Sequence, residues 1–205
     1  MLRNATLAAL MLAAAGPAAA AGLEPVMTLC SDPMTTGPQK LERLPAIGWQ
    51  QLAEPDGDKL LDLATAHVMG FTQGMDDLEA RFALASELAG NFASVMAGGT
   101  ITLWTQGEAV LAFAVAETPE GLEHVSCYYA APPDDELFAL SAAYGAPEEL
   151  PDLELRALRF DETALAFNPD RVYQMISTWT RLTSDPPRTE LTDAYRLERV
   201  QQPAE

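Results

Sequence analysis

Two spacings of apolar residues divide this chain, one repeating every three to four positions and the other every two. The first spacing governs the stretch after Glu54-Pro55-Asp56-Gly57-Asp58, a turn-forming cluster. Leu60, Leu63, Ala64, His67 and Phe71 recur on one helical face. They predict a helix from Asp58, as its N-cap, to about Met69, with Gly70 and Gly74 around its end. A longer helix is predicted over 76–97. Asp76 and Glu79 resemble a capping box, and Leu78, Phe82, Ala85, Leu88, Phe92 and Val95 form one stripe. Gly98-Gly99 stops it.

The two-residue spacing then takes over. Strands are predicted at 100–105 and 109–117, around the loop Gln106-Gly107-Glu108, and a third at 122–130. Pro132-Pro133-Asp134 ends the third strand and starts a short helix at 134–144, closed by Gly145. A strand follows at 153–160. The segments 171–182 and 192–200 form a final antiparallel pair, joined by a loop containing Asp185-Pro186-Pro187. Upstream, 41–52 reads as a first strand through Leu44, Ile47 and Trp49, interrupted by Pro45 and Gly48. Residues 22–40, rich in Pro, Gly, Thr and Met, read as an extended N-terminal arm.

Adjacent strands set apart from a helical pair indicate an α+β fold. The expectation is a mainly antiparallel sheet of five to six strands packed against a two-helix unit, plus one short helix, forming a single α+β domain over 41–205. Within 109–116 the odd positions are Ala109, Leu111, Phe113 and Val115, and the even ones Val110, Ala112, Ala114 and Ala116. Neither set is polar, so this strand is predicted to be central and covered on both sides. The even face is small, and the long helix is the expected neighbour there.

The first 21 residues follow different rules. Arg3 precedes an apolar run over 5–15, Gly16-Pro17 breaks it, and Ala18-Ala19-Ala20-Ala21 offers small side chains for a peptidase. This predicts a cleavable signal peptide at 1–21. The run is too short to span a bilayer, which needs about 20 apolar residues. Arginine outnumbers lysine ten to two and alanine is abundant, which reads as GC-rich coding in a Gram-negative bacterium and places the chain in the periplasm. In that oxidising compartment its two cysteines, Cys30 and Cys127, predict a disulfide.

The net charge of −18 makes nucleic acid and anionic lipid poor partners. No stretch after residue 21 is apolar enough to insert into a membrane. Seven of the twelve basic side chains lie beyond residue 150, displaced from the acidic body of the chain.

No motif specifies catalysis, a metal or a cofactor. His67 sits on an apolar helix face, where a histidine is a core residue with one hydrogen bond more often than a ligand. His124 and Cys127 are three apart on a strand and point to opposite faces, so they cannot act as base and nucleophile together. Asp56, Asp58 and Asp62 lack the order of a calcium loop. On 171–182, alternation groups Ser177, Trp179 and Arg181 against Ile176, Thr178, Thr180 and Leu182. If the aliphatic set is inside, Trp179 and Arg181 form an outer recognition face that Arg196 of the next strand joins. The functional expectation is an exported, non-enzymatic module that binds an anionic small ligand or a periplasmic protein. A small hydrolase using carboxylates or an unrecognised serine is the alternative. The intact mass of protein recovered from the periplasm should correspond to a chain starting at Gly22, or one residue either side; a retained Met1 in the membrane fraction would refute cleavage.

Overall fold

The apolar alternation of 109–117 is matched by strand pairing on both sides. The computed structural model describes residues 23–32, 34–72, 75, 77–135, 139, 148–149, 157–164, 172–182 and 188–202, with the main chain alone at 23–24, 148–149, 157–164 and 172–177. Its strands are β1 (Gln50–Leu52), β2 (Ile101–Gln106), β3 (Ala109–Glu117), β4 (Glu123–Ala131), β5 (Glu148–Glu149), β6 (Ala157–Ala164), β7 (Val172–Leu182) and β8 (Asp193–Gln201). They form one sheet in the order β1-β2-β3-β4-β8-β7-β6-β5, with every described pairing antiparallel. The last strand is inserted between β4 and β7. Six strands have six residues or more, and the two short ones sit at the edges. The α+β class and antiparallel sheet agree with the sequence reading. The short helix expected at 134–144 and the loop at 185–187 lie mostly or wholly outside the described residues, as do 1–22.

Among the described residues four α-helices cover this sheet: α1 (Leu23–Ser31), α2 (Gly37–Arg43), α3 (Gly57–Phe71) and α4 (Leu78–Ala97). On one face Leu111, Phe113, Val125, Cys127, Tyr129, Tyr195 and Leu197 pack with Val26, Leu29, Cys30, Leu44 and Trp49 of the N-terminal segment. On the other face Val110, Ala112, Ala130 and Ala194 pack with Leu60, Leu63 and Ala66 of α3 and Phe92 of α4. The bulky side of β3 therefore meets the N-terminal cover and the small side meets the helical pair.

The sequence reading needs correction at several points. The described part of 22–40 is not an extended arm: it carries α1 and the start of α2. Gly37 and Pro38 stand in the first turn of α2, where a missing N–H costs nothing. Thr36 caps it, accepting from the Gln39 amide at 3.3 Å while Gln39 Oε1 accepts from the Thr36 amide at 3.1 Å. The strand expected over 41–52 shrinks to β1, because a 3-10 turn (Leu44–Ile47) continues α2 until Gly48 reverses the chain at φ 92°. Asp56, rather than Asp58, caps α3, accepting from the amides of Asp58 and Lys59 at 3.1 and 3.2 Å. Asp77 caps α4 in the same way. The helix that lies against the small side of the sheet most extensively is α3, not the longer α4. Gly70 explains its approach to β7: a Cβ there would lie 2.2 Å from Thr180 Oγ1. In α4 only Arg81, Ala85 and Phe92 are buried, and it packs on the outer side of α3 and on β2.

Two buried cations secure helix ends. The last carbonyls of a helix have no intrahelical partner and carry its negative pole. The Lys40 ammonium donates to the carbonyls of Cys30 at 3.2 Å and Asp32 at 2.7 Å, and also to that of Leu29, at the end of α1. Arg81 of α4 donates to Met69 at 3.2 Å and Thr72 at 2.8 Å, at the end of α3, and to Met75 at 2.6 Å. No helix among the described residues is long and apolar enough to cross a membrane.

Cys30 of α1 and Cys127 of β4 form a disulfide, with their Cα atoms 6.4 Å apart. It pins the N-terminal cover to the middle of the sheet across 97 residues of sequence. Reducing it should lower the thermal midpoint, since loss of a native bridge in a small domain costs about 2–5 kcal/mol. An unchanged midpoint, with both thiols titrating, would show that packing alone retains the cover.

Candidate functional site

The expected recognition face on β7 does not form, because the N-terminal cover occupies that side of the sheet. Trp179 is only 3% exposed and joins the core, tilted against Tyr195 with ring centroids 6.4 Å apart. Arg181 shares its face but serves as a clamp. The register places it opposite Asp193 of β8, whose two carboxylate oxygens accept from Nε at 2.6 Å and Nη2 at 2.7 Å. Its Nη1 reaches Asp135 at 2.6 Å, and Asp193 also accepts from the Asp134 amide at 3.0 Å. Arg181 thus ties β7, β8 and the chain after β4 together. Arg196 is opposite Thr178 and Tyr128, a register that puts it on the other face, beside the helices.

Arg196 belongs to a polar group built by three neighbouring rungs of β4 and β8. Alternation sends His124, Ser126 and Tyr128 of β4 to the helix side, and pairing sets Tyr128 against Arg196 and Ser126 against Glu198. The Arg196 guanidinium lies over the Tyr128 ring, 5.5 Å from its centroid. Glu198 Oε1 accepts from Arg196 Nε at 3.1 Å and from the Tyr128 hydroxyl at 3.1 Å, and Arg196 Nη2 is 2.5 Å away. Burial opposes ionisation of Glu198, but the Arg196 and Tyr128 hydrogen bonds and the Arg196 charge outweigh it and hold the carboxyl below its ordinary value. Burial, with the Glu198 charge second, pushes the Tyr128 phenol up. The Arg196 side chain remains 43% exposed and that of Glu198 25%. This group is therefore partly exposed and held together by its own hydrogen bonds.

Ser126 Oγ stands 3.4 Å from His124 Nε2, a pair with the form of a nucleophile and base. Acyl transfer at this serine would need main-chain donors for a developing oxyanion. Here β4 is paired on both sides, with Ser126 opposite Ala114 and Glu198, so its amides serve the sheet. Ser126 is itself buried.

His67 occupies the edge of the same region. Its Nε2 lies 3.0 Å from the Tyr129 carbonyl, which can only accept, so Nε2 carries the proton. The ring stacks on Phe71 at 5.0 Å and meets Tyr128 edge-on at 5.6 Å. Among the described residues no group of three or more His, Cys, Asp or Glu side chains could hold a metal ion. At the far end of the sheet, where the β2–β3 turn, the start of α3 and residues 188–191 meet, a cavity of about 390 Å³ opens to solvent.

The sequence singled out Arg196 but gave it the wrong companions. Tyr128 and Glu198 were detectable only as members of two alternating strands; pairing β4 with β8 is what brings them together. The chain matches no protein-family model, and no curated protein or solved structure is significantly similar to it.

Burial, assisted by the Arg196 charge, drives the His67 imidazole down to about 3 although its bond to Tyr129 works the other way. The unfolded chain, with an ordinary imidazole near 6.5, takes up this proton first as pH falls. The contribution to stability is complete above that ordinary value and is lost as pH falls from there towards 3. A His67→Gln variant, which keeps a donor for Tyr129, should lose about 3 kcal/mol less than the wild type on acidification from pH 7 to pH 4. Parallel stability curves from denaturant titrations at the two pH values would show that His67 does not titrate in this way.

Proposed function

We propose that the protein is exported to the periplasm and acts there as a non-enzymatic binding module that receives an anionic group at Arg196. The observation that carries this reading is the partly exposed Arg196 side chain, its guanidinium held over Tyr128 and oriented by Glu198. Guanidinium over an aromatic ring presents a fixed fork of donors at low cost in side-chain entropy. Glu198 neutralises the Arg196 charge, so an anion would be received by the guanidinium N–H groups that Glu198 does not occupy. The export pattern at residues 1–21 and the disulfide support the compartment. Residues Trp179 and Arg181 have no part in the proposed site, since one packs the core and the other clamps the sheet.

Thermal-shift titration with inorganic phosphate, citrate and sulfate tests the site directly. At least one anion should raise the wild-type midpoint saturably, beyond the effect of chloride at equal ionic strength. An Arg196→Gln variant should lose that shift, while its basal stability falls by no more than about 1 kcal/mol, as expected for a partly exposed ion pair. Shifts equal to those with chloride, or equal shifts in wild type and Arg196→Gln, would overturn the proposal.

A further inference from the structure

Lys40 places a charge inside the N-terminal cover, at the joint on which that cover would turn. Its side chain is wholly buried, and its ammonium donates to three main-chain carbonyls, those of Leu29, Cys30 and Asp32. The connector between α1 and α2 thus closes around it. The sheet holds the same connector from the other side. Arg199 of β8 donates to the Thr35 carbonyl at 3.4 Å, and Glu123 of β4 accepts from the Gly37 amide at 3.0 Å. A Cβ at Gly37 would lie 2.5 Å from Val115 Cγ2, so the start of α2 rests directly on β3.

Carbonyl dipoles replace the hydration of an ammonium only in part. The charged groups around Lys40 are Arg43 of its own helix, Asp32 of the connector, Glu123 of β4 and Arg199 of β8. Burial acts most strongly against its charge, and the Arg199 guanidinium comes second. Asp32 and Glu123 act the other way without compensating, and the ammonium is brought down from 10.5 to about 7. Carboxylates and guanidiniums as classes keep their charge between pH 7 and pH 9, so Lys40 is the member of this set that changes there. A neutral amine still has two N–H donors for the carbonyls, so proton loss relieves the buried charge without emptying the joint.

We infer that Lys40 is a pH-sensitive latch for the N-terminal cover, which sits tightest when the amine is neutral and opens more readily when it is protonated. Opening puts the amine in water, where its ordinary value of 10.5 applies, so opening takes up one proton between about pH 7 and pH 10.5. The cover is held most firmly at the alkaline end of that window, and the gain is lost as pH falls to about 7. Below that point both states hold the proton, and this group adds no further change. His67 acts in a separate window, below 6.5, and from α3 on the opposite face. The Cys30–Cys127 bridge keeps an opened cover attached to β4.

The bridge itself reports the opening, because Cys30 and Cys127 are both wholly buried and a reductant reaches them only when the cover lifts. The measurement is the rate of reduction by a water-soluble phosphine, divided by its rate with a small-molecule disulfide at the same pH. In the wild type this ratio should fall about tenfold or more from pH 7 to pH 9. It should stay flat in Lys40→Met, which has no charge to lose, and in Lys40→Arg, which keeps its charge throughout. A flat ratio in the wild type, or an equal fall in the wild type and in whichever variant folds, would overturn the inference. A second measurement leaves Lys40 in place. The chain has two lysines, Lys40 and Lys59, so Lys59→Gln isolates the Lys40 Cε signal in carbon-13 NMR. That signal should titrate at about 7. Titration above pH 9, close to an ordinary lysine, would equally overturn the latch.

Discussion

A central strand that is apolar on both faces must be covered twice, and this requirement organises the whole protein. In β3, Leu111 and Phe113 point one way and Val110 and Ala112 the other, and all four are buried. At roughly 25 cal/mol per Å² of apolar surface removed from water, neither face can be left open without a large loss. The helical pair α3–α4 supplies one cover. The N-terminal segment, from α1 to Trp49, supplies the other. The difference in side-chain size between the two faces sets the distances, with α3 close enough that Gly70 meets Thr180 directly.

The N-terminal cover is a small unit, and its attachment shows how a short segment is retained. Its apolar contribution is concentrated in a few side chains, Val26, Leu29, Leu44 and Trp49 among them. The disulfide supplies a covalent link at its centre. Lys40 organises the unit internally, donating to three carbonyls at the end of α1. Arg199 of β8, also buried, reaches the Thr35 carbonyl at 3.4 Å. Placing two cations here is costly, and burial with Arg199 as neighbour brings the Lys40 ammonium down to about 7. The partly exposed Asp32 carboxylate and the carbonyl acceptors offset that cost. Arg81 repeats the device at the end of α3, which suggests that cationic capping from a following helix is a general solution in this fold.

The same covering explains where binding groups can appear. On the side of the N-terminal cover, Trp179 is enclosed and Arg181 is consumed in holding β7 to β8 and to the chain after β4. On the helix side, α3 and α4 leave part of β4 and β8 accessible, so that Arg196, Tyr128 and Glu198 remain partly open. The end of the sheet is a third environment, because loops rather than helices close it. There the charges of Asp62, Glu108 and Glu190 collect around a cavity.

Local periodicity was sufficient to locate α3, α4, β2, β3, β4 and the β7–β8 pair, because spacing of apolar residues reports which side of an element is buried. The same alternation on 109–116 showed that β3 is covered twice, and the cysteine count and compartment reading anticipated the bridge. Local chemistry misled where Pro and Gly were taken as breakers: at Gly37 and Pro38 they begin a helix, and Pro45 stands in a 3-10 turn. What the sequence could not determine was which face each strand turned towards which cover. Over 178–182 of β7, Trp179 is buried as Thr178, Thr180 and Leu182 are, so the assumption of one outer face failed for Trp179. Register across β4 and β8 joins residues about seventy positions apart, as in the Tyr128–Glu198 bond, and no local pattern encodes that pairing. Only the closed sheet, with β8 inserted between β4 and β7, decides that Arg196 lies over Tyr128 and apart from Arg181, because strand order fixes both the neighbour and the face of every side chain.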